Sequence, residues 1–173
     1  KAQGRVANRG LHMGRATALH RHMRDLRIIK HANAQILGRQ VIGAGKLASI
    51  CVVPYSAVER THEQVIQRVS DMGAGLIIRG GIGQGHHGGQ KRWDAWERAK
   101  LEELAGAMSR YEFVLRFTLS HLACHTTIVG TTEPNHLRAN VSAAQAGPLP
   151  RAVYDEAKER LATAGEEPQK IDS

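Results

Sequence analysis

Thr126-Thr-Ile-Val-Gly-Thr-Thr-Glu-Pro-Asn-His-Leu-Arg-Ala-Asn140 is the stretch on which the fold turns. Its first four residues are β-branched and read as a short strand, Thr126 to Val129, that breaks at Gly130. A polar turn follows, and Pro134 opens a helix with Leu137 and Val141 on one face. Proline suits the first helical position, because its missing N–H would have no partner there in any case. The unpaired N–H groups and partial positive charge of that helix start suit a phosphate. Strand end, glycine turn and helix N-terminus together describe one unit of an α/β protein able to hold a phosphorylated ligand.

Outward from this unit, strands and helices alternate. Upstream, Ser49–Pro54 reads as a buried strand, and Thr61 with Gln64 as a capping box. The helix it opens carries Val65, Val69 and Met72 on one face and ends at Gly73. Gly75–Arg79 is the next strand. A glycine-rich loop from Gly80 to Gly89 leads to a helix around Asp94–Leu104. Ser109 and Glu112 form a second capping box, and the helix behind it lines up Phe113, Phe117 and His121. Downstream, helices are expected over residues 135–144 and 151–162, the last with Val153, Ala157 and Leu161 at intervals of four. This order argues for parallel strands joined by crossover helices. Ile36–Ile42 reads as one further short strand.

The charge is unevenly placed. Residues 1–48 carry 10 Lys/Arg and one acid, Asp25, whereas residues 49–173 carry 14 Lys/Arg and 15 acids. The net charge of +8 therefore belongs to the first segment. A basic arm can bind nucleic acid, but this one has no aromatic side chain for stacking, no helical stripe and no compact reader motif, so nucleic acid is not the expected partner. There is no apolar run near 18 residues and no basic-then-apolar leader, and a cytoplasmic location with no membrane partner is the expectation. Cys51 and Cys124 lie in apolar segments and read as buried thiols.

Other motifs are weaker. Gly83-Gln-Gly85-His-His-Gly88 has the letters of a dinucleotide fingerprint, but the loop runs on through Gly89 instead of opening an apolar helix. Gly43-Ala-Gly45-Lys46 lacks the first glycine and the Ser/Thr of a P-loop. The histidines at 12, 20, 22, 31, 86 and 87 show no zinc-ligand spacing, and no metal is expected.

An ordered set of pieces resembles the aldo/keto reductase family. These are Pro54-Tyr-Ser-Ala-Val-Glu-Arg60, Gly75-Leu-Ile-Ile-Arg-Gly-Gly-Ile-Gly-Gln-Gly85, Arg116-Phe-Thr-Leu-Ser120, Ile128-Val-Gly-Thr131 with Pro134-Asn-His-Leu-Arg-Ala-Asn140, and Gly147-Pro-Leu-Pro150. They cover about residues 49–165. The resemblance implies an α/β fold that is a partial (β/α)8 TIM barrel: its last three βα units plus the C-terminal helix. The chain then divides into a basic, poorly matched segment, 1–48, and a barrel half, 49–173.

The resemblance also implies NAD(P)H-dependent carbonyl reduction, with this chain holding the cofactor and a small carbonyl substrate bound only if the other half completes the barrel. Tyr55 would stack on the nicotinamide. Arg79, Gly80, Gly81 and Gly83 would lie along the pyrophosphate, Gly130, Thr131 and Thr132 by the 2′-phosphate, and His136 and Asn140 at the adenine. NADP(H) is the implied cofactor. Thr132 stands where the family often has Arg or Lys, Ala139 where an acid is common and Val52 where Gln is common, which leaves NAD(H) open, with Arg138 as a substitute cation. Lys1-Ala-Gln-Gly-Arg-Val6 looks like the linker before the fifth strand, so the Asp/Tyr/Lys/His tetrad would precede this chain, and the chain alone is expected to be inactive. The alternative is a non-catalytic nucleotide- or partner-binding remnant, prone to self-association through open sheet edges.

Overall fold

The computed structural model of the chain describes residues 35–42, 46–82 and 90–170. Four strands form one sheet in the order β1 (Gln35–Ile42), β2 (Lys46–Pro54), β3 (Gly75–Arg79) and β4 (Thr126–Ile128). Strands β2, β3 and β4 are parallel, with Val52 opposite Ile77 and Arg79 opposite Ile128. This is the alternating α/β arrangement expected from the sequence.

The first strand departs from it. β1 runs antiparallel to β2, with Gln35 opposite Val52 and Ile42 opposite Lys46, and the register slips between Ile36 and Gly38. Only three residues separate the two strands. That span suits a hairpin and is too short for the dozen or more residues of a parallel crossover. β2 accordingly begins at Lys46, before the Ser49 expected, and its pairing with β1 crosses the composition boundary at residue 48.

Among the described residues, six helices connect and cover the strands: α1 (Glu63–Asp71), α2 (Gln90–Arg98), α3 (Leu101–Ala105), α4 (Arg110–Leu119), α5 (Pro134–Gln145) and α6 (Arg151–Thr163). The Thr61 capping box does not form. His62 is the N-cap of α1 without a side-chain bond, and the Thr61 carbonyl instead accepts from the Gln169 N–H at 3.0 Å. The Ser109 box does form, its hydroxyl accepting from the Glu112 N–H at 3.2 Å. The helix expected over 94–104 is two helices, broken at Lys100, whose φ of 50° is left-handed.

The core lies between β2, β3 and the helices. Val53, Leu76 and Ile78 of the strands meet Ile66 of α1, Phe113 and Phe117 of α4, and Leu161 of α6, all nearly or fully buried. The stripe of α4 predicted from Phe113, Phe117 and His121 is the buried one. The aromatic rings pack edge-on, as their quadrupoles favour: Trp96 on Phe113 at 5.3 Å and Trp93 on Tyr111 at 5.4 Å. By contrast Leu137 and Val141, which share one face of α5, are about half exposed, and of that helix only Ala143 is buried.

Candidate functional site

The carboxyl ends of β3 and β4 open into a cavity of about 760 Å³. Each wall follows from its local sequence. β3 ends at Arg79, and Gly80 turns the chain with φ 70°, a conformation that glycine alone adopts without cost. Gly81 is then seated by Thr118 of α4, whose hydroxyl donates to the Gly81 carbonyl at 2.9 Å. A Cβ on Gly81 would collide with Thr127 Oγ1, which donates to the Ile78 carbonyl at 3.2 Å and ties β4 to β3.

On the other wall β4 gives way to Val129 and Gly130. A Cβ built on Gly130 meets nothing within 4 Å, so the backbone there is bare. The Thr131 hydroxyl accepts from the Glu133 N–H at 3.1 Å, which bends the chain into α5. Glu133 is the N-cap but makes no side-chain cap bond, so the first N–H groups of α5 stay unpaired by it. His136, Ala139 and Asn140 face the cavity from the first two turns of that helix, and Ser109 and Tyr111 close it from the start of α4.

Six of the ten expected site residues line this cavity: Gly80, Gly130, Thr131, Thr132, His136 and Asn140. Gly81 lies behind it, buried. Arg79 ends β3 half-buried and is not part of the lining. Gly83 falls outside the described residues, as do Gly43–Gly45 and the histidines of the glycine-rich loop. Arg138, the suggested substitute cation, donates to Asn135 Oδ1 at 2.9 Å and does not line the cavity. Ile82, Ser109, Tyr111 and Glu133 were not anticipated. Ser109 was recognisable only as a cap, and no sequence signal marked Tyr111, which is half-buried beside Trp93.

Tyr55 is elsewhere. It is fully buried, its hydroxyl 3.0 Å from that of Tyr154 and its ring edge-on to His121 at 5.1 Å. Burial, with Tyr154 and Glu63 nearby, pushes its phenol well above the ordinary range; burial pushes that of Tyr154 to about 12. Beside this pair, Arg60 donates to Glu63 at 2.8 Å, Lys158 contacts the other Glu63 oxygen, and Arg60 also donates to the carbonyls of Lys158 and Glu166. This cluster fastens α6 and the C-terminal tail to the start of α1. The two cysteines are free, and burial raises both thiols, that of Cys124 to about 11, so neither is a thiolate nucleophile at neutral pH. Among the described residues no three His, Cys, Asp or Glu side chains group as metal ligands, and no helix is long and apolar enough to cross a membrane.

With this geometry in hand, comparison with solved structures finds aldo-keto reductase AKR11C1 from Bacillus halodurans, in its apo and holo forms. Both superpose with a TM-score of 0.54 at 22% identity over 63% of this chain. Over that stretch the chain has the fold of an aldo-keto reductase segment. It spans 42% of the apo structure's chain and 41% of the holo structure's. No family profile and no curated protein sequence matches the chain.

Proposed function

We propose that this chain supplies the adenosine-binding part of a nicotinamide-cofactor site, built on the last three βα units and C-terminal helix of an aldo/keto reductase-like (β/α)8 barrel. The observation that carries the proposal is the cavity at the carboxyl ends of β3 and β4, which gathers Gly80, Gly130, Thr131, Thr132, His136 and Asn140. In open α/β sheets and in (β/α)8 barrels alike, ligands bind at that end of the strands.

The donor set fits a nucleoside. Asn140 can donate and accept at once, as recognition of an adenine edge requires. The imidazole of His136, one turn earlier, offers a flat face and a ring N–H. The bare backbone at Gly130 and the hydroxyls of Thr131 and Thr132 suit the sugar and its phosphate. A bound nicotinamide would supply hydride to a carbonyl substrate. The proton for that reduction would come from outside this set: the hydroxyls of Tyr55 and Tyr154 are buried against each other, away from the cavity, and Tyr111 belongs to the cavity proposed here for the adenosine, not the nicotinamide. Tyr55 is therefore left out of the proposed site. In this account the chain binds cofactor and reduces nothing by itself.

Titration of NADH and NADPH into the purified chain, followed by nicotinamide fluorescence, tests the proposal. Saturable binding is expected, weakened about fivefold or more in the His136→Ala/Asn140→Ala double variant, since each lost hydrogen bond contributes about 0.5–1.5 kcal/mol. No saturable binding of either nucleotide would refute it. A carbonyl-reductase assay should stay at the level of a no-protein control, and clear turnover would overturn the non-catalytic part.

A further inference from the structure

Every described side chain that lines the cavity is uncharged or weakly basic except one. Glu133 contributes a carboxylate, and among the described residues no Lys or Arg lines the cavity. Three arginines adjoin lining residues in sequence: Arg79, beside Gly80, ends β3 and is not part of the lining, Arg138 donates to Asn135, and Arg110 stacks over the Trp93 ring at 4.5 Å. The carboxylate is exposed at the mouth of α5, makes no bond to the helix N–H groups, and is held there through its backbone bond to Thr131.

A 2′-phosphate brings between one and two further negative charges and is recognised by Arg or Lys. Here the partial positive charge of the helix start is already opposed by the Glu133 carboxylate. A phosphomonoester is therefore a poor fit for this end of the cavity. A ribose hydroxyl is a good one, because a carboxylate accepts hydrogen bonds from a sugar diol, as it does in dinucleotide sites that select the unphosphorylated ribose.

We infer that Glu133 is a specificity-determining residue that turns the cavity against a 2′-phosphate and toward an adenosine with free ribose hydroxyls, hence NAD(H) over NADP(H). The inference rests on the nucleotide-binding function proposed above. Two unit charges about 4 Å apart in water interact by about 1 kcal/mol, so repulsion of a doubly charged phosphate corresponds to about tenfold or more in affinity.

The test compares NADH with NADPH, and 5′-AMP with 2′,5′-ADP, by calorimetric titration on the full chain and on its Glu133→Gln and Glu133→Lys variants. The side chain is exposed, so both variants are expected to fold, with circular dichroism as the check. The parent chain should bind the unphosphorylated member of each pair about tenfold more tightly. Glu133→Gln should narrow that ratio and Glu133→Lys reverse it. Equal or tighter binding of NADPH and 2′,5′-ADP by the parent, or a ratio unmoved in Glu133→Lys, overturns the role of Glu133 while leaving the nucleotide site standing. Absence of saturable binding by any of the four probes overturns both.

Discussion

Glu63 shows how single residues are held in this chain. Burial pushes its carboxyl up, but the hydrogen bond from Lys158 and the charge of Arg60 outweigh it, and the group lies below the ordinary carboxylate range. A carboxylate whose pKa is lower folded than unfolded adds stability above its unfolded value and loses it as pH falls through the folded one. His121 acts in the same direction at higher pH. Burial lowers its imidazole below 6.5, so stability declines as pH drops from about that value and the unfolded chain takes up the proton. Glu63→Gln should flatten the acid limb of the stability–pH curve and cost about 3 kcal/mol at neutral pH, because Arg60 is left buried without its counter-charge; urea denaturation at several pH values checks both. Gly81→Ala should cost about 1–3 kcal/mol by driving Thr127 Oγ1 off the Ile78 carbonyl. A double-mutant cycle with Thr127→Ala should recover part of that loss. At this scale the sequence was legible where backbone chemistry spoke. Gly80, Gly130 and Asn140, singled out in the sequence, line one cavity. Tyr55 does not, because its partner Tyr154 lies 99 residues away and no local pattern announces the contact.

Elements were read through periodicity and caps, and the errors have physical causes. The stripe of α4 was correct because three aromatic positions on one face leave one way to bury them. Phe117→Ala should cost about 3–5 kcal/mol, measurable as a shift in the denaturation midpoint. Leu137 and Val141 share one face of α5 as the spacing says, but that face is half exposed and the helix buries only Ala143. The break between α2 and α3 was invisible because Lys100 takes a left-handed φ that its residue type does not signal. Lys100→Gly is expected to be neutral or to stabilise by up to about 1 kcal/mol, since glycine carries no Cβ into that region. Thermal melts of the two proteins decide it. The direction of β1 was likewise hidden, because strand pattern fixes neither partner nor orientation.

At the scale of the whole molecule, parallel β2, β3 and β4 with their helices account for the likeness to a reductase chain of which this one spans 42%. Among the described residues β4 pairs only with β3, and Ile128 of β4, like Leu137 and Val141 of α5, is a large apolar side chain left about half exposed. An unpaired edge with an exposed apolar side chain invites strand addition, and a second copy of the chain is the partner always present. We expect a concentration-dependent dimer by light scattering, shifted toward monomer by Ile128→Lys. A strict monomer at all concentrations would contradict that.

The central claim is the nucleotide cavity at the carboxyl ends of β3 and β4. The most direct measurement is an amide chemical-shift map of the isotope-labelled chain titrated with NADH. The account predicts saturable shifts concentrated at Gly80, Gly130 to Glu133, His136 and Asn140. Shifts that scatter over the surface, cluster around Tyr55 and Tyr154, or fail to appear would contradict it.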